Sequence, residues 1–166
     1  DSNRFVLERM DDIRRRVDGG ENPILAGLQY AILGNYLDFS ALQGNVSYEK
    51  LDEMLDGAKN IDVAGPVFDR FVSDLAKGRK LLYLTDNAGD RVFAEAIRQA
   101  YPNLEITFCV RGFVTQNDAT REDAAAVGLP FPVIDNGNRV AGTQIELLSP
   151  EAKQALDQAD VILAKG

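Results

Sequence analysis

The sequence has 166 residues, the length of one domain, with 18 basic and 26 acidic side chains and a net charge of −8. That charge disfavours a nucleic-acid partner, because such binding depends on Lys and Arg that neutralise phosphates. The chain has no histidine and one cysteine, which excludes Ser-His triads, His-ligated zinc, an internal disulfide and Cys-cluster metal sites. The remaining carboxylates, amides, hydroxyls and cations favour a hard metal ion such as Mg²⁺ or Mn²⁺.

The sequence contains no apolar run of about 18 residues that could cross a membrane. Its N-terminus has no signal-peptide pattern, so we expect a cytoplasmic protein with no membrane partner. The chain begins without Met and stops at Lys165-Gly166, directly after an apolar run. We therefore expect a piece of a longer polypeptide, shortened at both ends. The sequence says nothing about oligomeric state.

Residues 1–78 are predicted to form a helical N-terminal region. Apolar residues recur at helical spacing in four segments, which begin near Val6, Pro23, Ser47 and Pro66. Pro23 suits the first turn of a helix, and Ser47 is a typical N-cap. The basic run at 14–16 is interpreted as a solvated helix face.

Residues 79–166 are predicted to form an α/β domain that binds metal and phosphate. Short apolar runs alternate with helices, and we predict strands at 81–84, 106–110, 132–134 and 161–164. Thr120 and Asp123 have the spacing of a capping box, and Ser149 starts the last helix. Such alternation predicts a parallel sheet that is covered on both faces.

Polar side chains follow three of these four strands. Asp86 and Asn87 come after the first strand, Arg111 and Asp118 after the second, and Lys165 after the fourth. Ligands of open parallel sheets bind at the carboxyl ends of the strands. Asp86, Asn87 and Asp118 could therefore surround a Mg²⁺ ion, while Arg111 and Lys165 could hold phosphate oxygens.

Each motif also has a structural interpretation. The segment 86–89 is typical of a turn with a helix cap, Asn117-Asp118 is a common helix start, and a terminal Lys-Gly is usually solvated. Because these motifs converge at one edge of the sheet, a ligand-binding site is favoured over the separate structural interpretations. The pair Gly34-Asn35 could end a helix in the left-handed conformation. That leaves Asp38 unexplained, because a carboxylate between two apolar residues requires a partner.

Four motifs occur in order along the chain: Gly34-Asn35-x-x-Asp38-Phe39, Asp86-Asn87-Ala-Gly-Asp90, Arg111-Gly-x-x-x-x-Asn117-Asp118-Ala-Thr120-x-x-Asp123, and Ala159-Asp160-Val-Ile-Leu-Ala-Lys165-Gly166. Together they resemble the DUF89 family of metal-dependent damage-control phosphatases, in its compact archaeal and bacterial branch. The resemblance implies a three-layer α/β/α, Rossmann-like and mostly parallel sheet with a helical N-terminal part. It also implies hydrolysis of phosphomonoesters of small metabolites such as sugar phosphates.

The resemblance also implies roles for single residues. A divalent metal, Mn²⁺, Mg²⁺, Co²⁺ or Ni²⁺, would be held by Asp86, Asn87 and Asp118. Substrate phosphate would contact Asn35, Arg111, Asn117 and Lys165. Asp38 would line the site and is the available proton carrier, since the chain has no histidine. The nucleophile is either a metal-bound water or a carboxylate.

Two other functions remain open. An S-adenosylmethionine-dependent carboxyl methyltransferase should have a Gly-x-Gly loop after the first strand, where only Gly89 is present. A non-catalytic domain that binds a phosphorylated ligand is the second. Haloacid-dehalogenase phosphatases need an Asp-x-Asp pair, which residues 86–88 lack. Cys109 lies within an apolar strand and is interpreted as an inert core residue.

Overall fold

The structure is a computed structural model that describes residues 7–42, 47–85, 89–113, 120–126, 128–140 and 142–165. In chain order its elements are α1 (Met10–Asp18), α2 (Pro23–Leu42), α3 (Tyr48–Gly57), α4 (Gly65–Lys77), β1 (Lys80–Leu84), α5 (Gly89–Ala100), β2 (Glu105–Val110), α6 (Arg121–Ala126), β3 (Val133–Asp135), α7 (Pro150–Gln158) and β4 (Val161–Ala164). The predicted α/β class, with a helical N-terminal part and a parallel sheet, is confirmed. Within the described ranges, no helix is long and apolar enough to cross a membrane.

Local sequence signals determine where several helices begin. Ser47 and Ser149 each accept a hydrogen bond from the backbone N–H three residues later, at 3.3 and 3.1 Å. Thr120 and Asp123 form a reciprocal capping box, in which each backbone N–H donates to the other side chain at 2.9 and 3.3 Å. These bonds satisfy N–H groups that a helix leaves without an internal partner. The predicted caps are confirmed.

The chain divides into two compact units, and each is discontinuous in sequence. Unit 1 comprises residues 1–69 and 87–100, and unit 2 comprises residues 70–86 and 101–166. Helix α5 groups with the N-terminal helices of unit 1, although it lies between β1 and β2 in the sequence.

Unit 1 is built around a core to which α1, α2, α3 and α5 each contribute. Its buried residues are Met10, Ile13, Val17, Leu33, Leu37, Leu51, Leu55, Ala58, Val92 and Ala96. Helices α2 and α5 approach closely at Gly27, where a Cβ atom would lie 3.1 Å from Cα of Phe93 and 3.4 Å from Cβ of Ala96. The missing side chain at this position lets the two helices pack in near backbone contact.

The basic run on α1 is only partly a solvated face, so that interpretation is wrong for Arg14. The Arg14 Nε and Nη2 atoms donate to the two carboxylate oxygens of Glu95 at 2.7 and 2.9 Å. Arg91, one turn before Glu95 on α5, donates to the same carboxylate at 2.9 Å. Arg15, in contrast, is 79% exposed. Arg15 and Arg16 form ion pairs with exposed carboxylates of α1 and α3, so Arg14 differs in pairing with a carboxylate of α5 that is itself only 19% exposed.

We expect Glu95→Gln to lower the free energy of unfolding by about 1–2 kcal/mol at pH 7. Burial raises the pKa of Glu95, but the hydrogen bonds from Arg14 and Arg91 outweigh it and leave the pKa below its ordinary value of 4.5. A carboxyl whose pKa is lowered in the folded state stabilises the fold above its ordinary pKa and loses that contribution as pH falls through the lowered value. The difference between variant and wild type should therefore shrink below pH 4.5.

Urea unfolding at pH 7 and at pH 3 measures this effect. Glu21→Gln is the matched control, because Glu21 is exposed in the loop before α2. The control should match the wild type at both pH values. An equal loss for Glu95→Gln at both pH values would contradict the electrostatic explanation.

Unit 2 contains the parallel sheet, whose strand order is β3-β2-β1-β4. Leu82 and Cys109 of the sheet pack with Leu148 and Ala152, which lie before and in α7. At the amino end of β1, the Asp160 carboxylate accepts hydrogen bonds from the backbone N–H groups of residues 79 and 80 at 2.8 and 3.0 Å. This capping fixes β4 beside β1.

Candidate active site at the carboxyl edge of the sheet

The order of the strands reverses beside β1. The chain passes from β1 to β2 to β3 in one direction, and β4 then pairs with the other side of β1. All three pairings are parallel, so the four carboxyl ends lie at one edge. The backbone N–H of Lys165, directly after β4, donates to the carbonyl of Leu84 at the end of β1 at 3.3 Å. Crevices at such reversal points are where open α/β sheets bind ligands.

A cleft opens at this edge, within unit 2. It is lined by Leu84, Thr85, Cys109, Val110, Arg111, Asn136, Thr143 and Lys165. The structure therefore brings together two predicted phosphate-binding residues, Arg111 and Lys165. Sequence reasoning missed Thr85, Asn136 and Thr143. Thr85 and Asn136 directly follow β1 and β3, so their position after a strand was the signal that could have found them.

Arg111 holds the segment that follows β3. Its Nη1 donates to the carbonyl oxygens of Val140, at 3.3 Å, and Gly142. This anchors the chain just before Thr143, which lines the cleft. Part of the Arg111 guanidinium is thus used to shape the cleft that it lines.

The residues predicted to bind the metal lie outside the described residues. Asp86 and Asn87 come directly after Thr85, and Asp118 lies in the segment between Arg111 and Thr120. Arg111 and Thr120, which flank the segment that carries Asn117 and Asp118, pair as an isolated parallel bridge. Both flanking residues therefore lie at the carboxyl end of β2. Within the described ranges, no group of three acidic, His or Cys side chains could hold a metal. The metal assignment therefore stays a prediction.

One observation supports a ligand at this edge. The Thr85 hydroxyl oxygen is buried and, among the described residues, has no hydrogen-bond partner. Buried hydroxyls are normally paired, and a phosphate oxygen in the cleft is one partner that would satisfy this one. The oxygen donors of Asp86, Asn87 and Asp118 are also of the type that hard cations prefer. The residues present thus fit a divalent metal and the phosphate oxygens near it.

Comparison with known proteins identifies the family. The whole chain, residues 1–166, matches the family model described as damage-control phosphatase ARMT1-like domain. The chain belongs to this family. The resemblance to DUF89 proteins drawn from the four motifs is confirmed.

Individual relatives of this ARMT1-like domain agree. A damage-control phosphatase of Pyrococcus horikoshii is 34% identical over 84% of the chain, and one of Archaeoglobus fulgidus is 29% identical over 90%. An uncharacterized protein of Methanocaldococcus jannaschii is 32% identical over 99%. The crystal structure of a DUF89 family protein from P. horikoshii superposes with a TM-score of 0.80 at 29% identity and covers 99% of the chain.

The chain spans about half the length of the curated relatives it matches, namely 49%, 56% and 53% of the three sequences. It covers 57% of the P. horikoshii crystal structure.

Asn35 and Asp38 of this ARMT1-like domain lie on α2, in unit 1. The alternative that Gly34-Asn35 ends the helix is wrong, because α2 continues without interruption from Pro23 to Leu42. Leu33 and Leu37, one turn apart, are buried in the core of unit 1, and this packing carries the helix past the glycine. Asn35 is half-buried, and the Asp38 side chain lies outside the described residues. Their assignment to the site stays a prediction.

Cys109 has the surroundings of a core residue. Its side chain is buried in β2, and burial raises the pKa of the thiol to about 11. At neutral pH the thiol is therefore protonated, whereas a catalytic cysteine requires the thiolate. This agrees with its interpretation as a core residue.

Proposed function

We propose that this domain belongs to a metal-dependent phosphatase that hydrolyses phosphomonoesters of small metabolites such as sugar phosphates. The observation that carries the proposal is the cleft at the strand-order reversal, which is lined by two cations and a buried hydroxyl without a partner among the described residues. The relatives named damage-control phosphatases support the same class of reaction.

The charge of the cleft opposes that of the chain. The sequence carries a net charge of −8, yet the charged residues among those that line the cleft are Arg111 and Lys165. Such a local field attracts a small phosphorylated ligand even when the whole molecule is acidic. Arg111 and Lys165 would hold phosphate oxygens, with Asn35 and Asn117 as further predicted contacts.

Asp86, Asn87 and Asp118 would hold the divalent metal. When bound, the metal neutralises negative charge on the phosphoryl oxygens and lowers the pKa of a water molecule. Proton transfer to or from the reacting oxygen would fall to Asp38, because the chain has no histidine. Each of these roles follows from the resemblance and from the chemistry of the residue.

Phosphate release from a panel of phosphomonoesters that includes sugar phosphates tests the proposal. Protein stripped with a chelator should release no phosphate, and activity should return when Mn²⁺, Mg²⁺, Co²⁺ or Ni²⁺ is added back. Ligand binding without turnover under all metals would favour a non-catalytic phosphate-binding domain. Metal-stimulated binding of S-adenosylmethionine with methyl transfer would favour the methyltransferase.

A further inference from the structure

Two neutral side chains of the cleft have hydrogen-bonding capacity that the described residues leave unused. We propose that Thr85 and Asn136 donate hydrogen bonds to an oxyanion in this cleft, namely the phosphoryl group of the substrate or the released phosphate. The proposal rests on the function proposed above. It adds the residues that would recognise the phosphoryl oxygens without charge, beside Arg111 and Lys165.

The carboxamide of Asn136 is held in one orientation. The residue is only 4% exposed, and its Oδ1 accepts hydrogen bonds from the N–H groups of Gly112 at 2.9 Å and Asn138 at 3.3 Å. Because only the oxygen of an amide can accept, these two donors fix which end is Nδ2. Nδ2 donates to no atom of the described residues. Asn136 lines the cleft, where a phosphoryl oxygen could accept from it.

The backbone around Asn136 is also held firmly. Its N–H donates to the carbonyl of Val110 at 3.0 Å, and its carbonyl accepts from the N–H of Ser149 at 2.9 Å. Gly112 packs tightly against the turn that follows β3, so that a Cβ atom at residue 112 would lie 3.0 Å from the backbone nitrogen of Gly137. A donor held this rigidly loses little conformational freedom when a ligand binds.

Thr85 offers a second neutral donor. Its N–H donates to the carbonyl of Cys109 at 3.1 Å, which keeps the residue at the end of β1. Its buried hydroxyl has no partner among the described residues, and a buried hydroxyl that is left without a partner costs free energy. An anion bound in the cleft would remove this cost by accepting from the hydroxyl. Arg111 and Lys165 supply the charge that selects an anion over a neutral ligand.

Thr85→Val separates this role from a structural one. Valine keeps the shape of threonine and removes the hydroxyl, so the melting temperature without phosphate should stay equal or rise. The affinity for inorganic phosphate, titrated by calorimetry in the presence of Mn²⁺, should fall about tenfold, the size of one hydrogen bond to a charged group. A purely structural side chain would lower stability and leave affinity unchanged.

Asn136→Asp tests the second donor. The aspartate keeps an oxygen for the N–H groups of Gly112 and Asn138, but it replaces the Nδ2 donor with a negative oxygen. The affinity for phosphate should fall by more than about tenfold. Gln158→Glu is the control of equal charge, since Gln158 accepts from Lys80 Nζ at 3.1 Å at the opposite end of the sheet. It should bind phosphate within about twofold of the wild type.

The inference is overturned if wild-type protein binds no inorganic phosphate, or if both variants bind it as the wild type does. Its failure can be told apart from failure of the proposed function. Phosphate binding that both substitutions weaken, with no hydrolysis of any monoester, refutes the phosphatase and supports the anion-binding role. Hydrolysis with unchanged KM and unchanged product inhibition in both variants refutes the inference alone.

Discussion

Replacing Asp86 with alanine is expected to lower metal-dependent phosphate release by more than about 100-fold. Asp86 directly follows Thr85 at the end of β1, the strand that pairs with both β2 and β4 beside the reversal of strand order. Loss of a carboxylate ligand there would lower the affinity for the metal, and the positive charge that stabilises the transition state would be lost with it. The measurements are initial rates over a range of Mn²⁺ concentrations and Mn²⁺ binding followed by electron paramagnetic resonance.

Asp157→Ala is the matched control for this variant. Asp157 is exposed near the end of α7 and precedes the amino end of β4, away from the carboxyl edge. It should keep activity within about twofold of the wild type. Equal melting temperatures for the two variants would show that Asp86→Ala leaves the fold intact. If Asp86→Ala kept the wild-type rate and the wild-type dependence on Mn²⁺, Asp86 would not be a metal ligand.

Gly137→Ala should lower the free energy of unfolding by about 3 kcal/mol, for two separate reasons. Gly137 has φ of +74°, a conformation that side chains with a Cβ adopt only at a cost. A Cβ atom there would also lie 2.7 Å from Cβ of Ser149, the N-cap residue of α7. The turn after β3 and the start of α7 would therefore have to separate. The midpoint of urea unfolding, followed by circular dichroism, measures the loss.

Gly128→Ala separates the two causes. Gly128 has φ of +59°, but a Cβ atom there would meet nothing within 4 Å. This variant should show only the cost of the left-handed conformation, about 1 kcal/mol. Equal losses at both glycines would mean that the approach of residue 137 to Ser149 contributes nothing.

Much of the secondary structure could be predicted because its signals are local. The caps at Ser47, Thr120 and Ser149 are confirmed since a capping bond spans only three residues. Strands β1 and β2 were visible as short apolar runs, because consecutive residues of these central strands are buried. Local signals are less reliable where packing between residues far apart in the chain determines the conformation. Gly34-Asn35 is a common helix end, yet buried leucines on either side keep α2 helical.

The candidate site divides in the same way. Arg111 and Lys165 could be predicted as cleft residues because each directly follows a strand and parallel strands end at one edge. The position of Asn136 directly after β3 could have indicated the cleft in the same way, but the orientation of its carboxamide could not be predicted, since it depends on Gly112 and Asn138. Thr143 could not either, because Arg111 holds the segment before it through a contact 31 residues apart.

The sequence alone determined the class of fold and the family, because composition, periodicity and short motifs are properties of neighbouring residues. The lack of histidine excluded imidazole chemistry, and the order of four motifs indicated the family that the whole-chain match confirms. Only the tertiary structure decided that β4 lies beside β1, that α5 groups with the N-terminal helices, and that Thr85 and Asn136 line one cleft with two cations. These facts depend on contacts between residues far apart in the chain, and no local pattern encodes them.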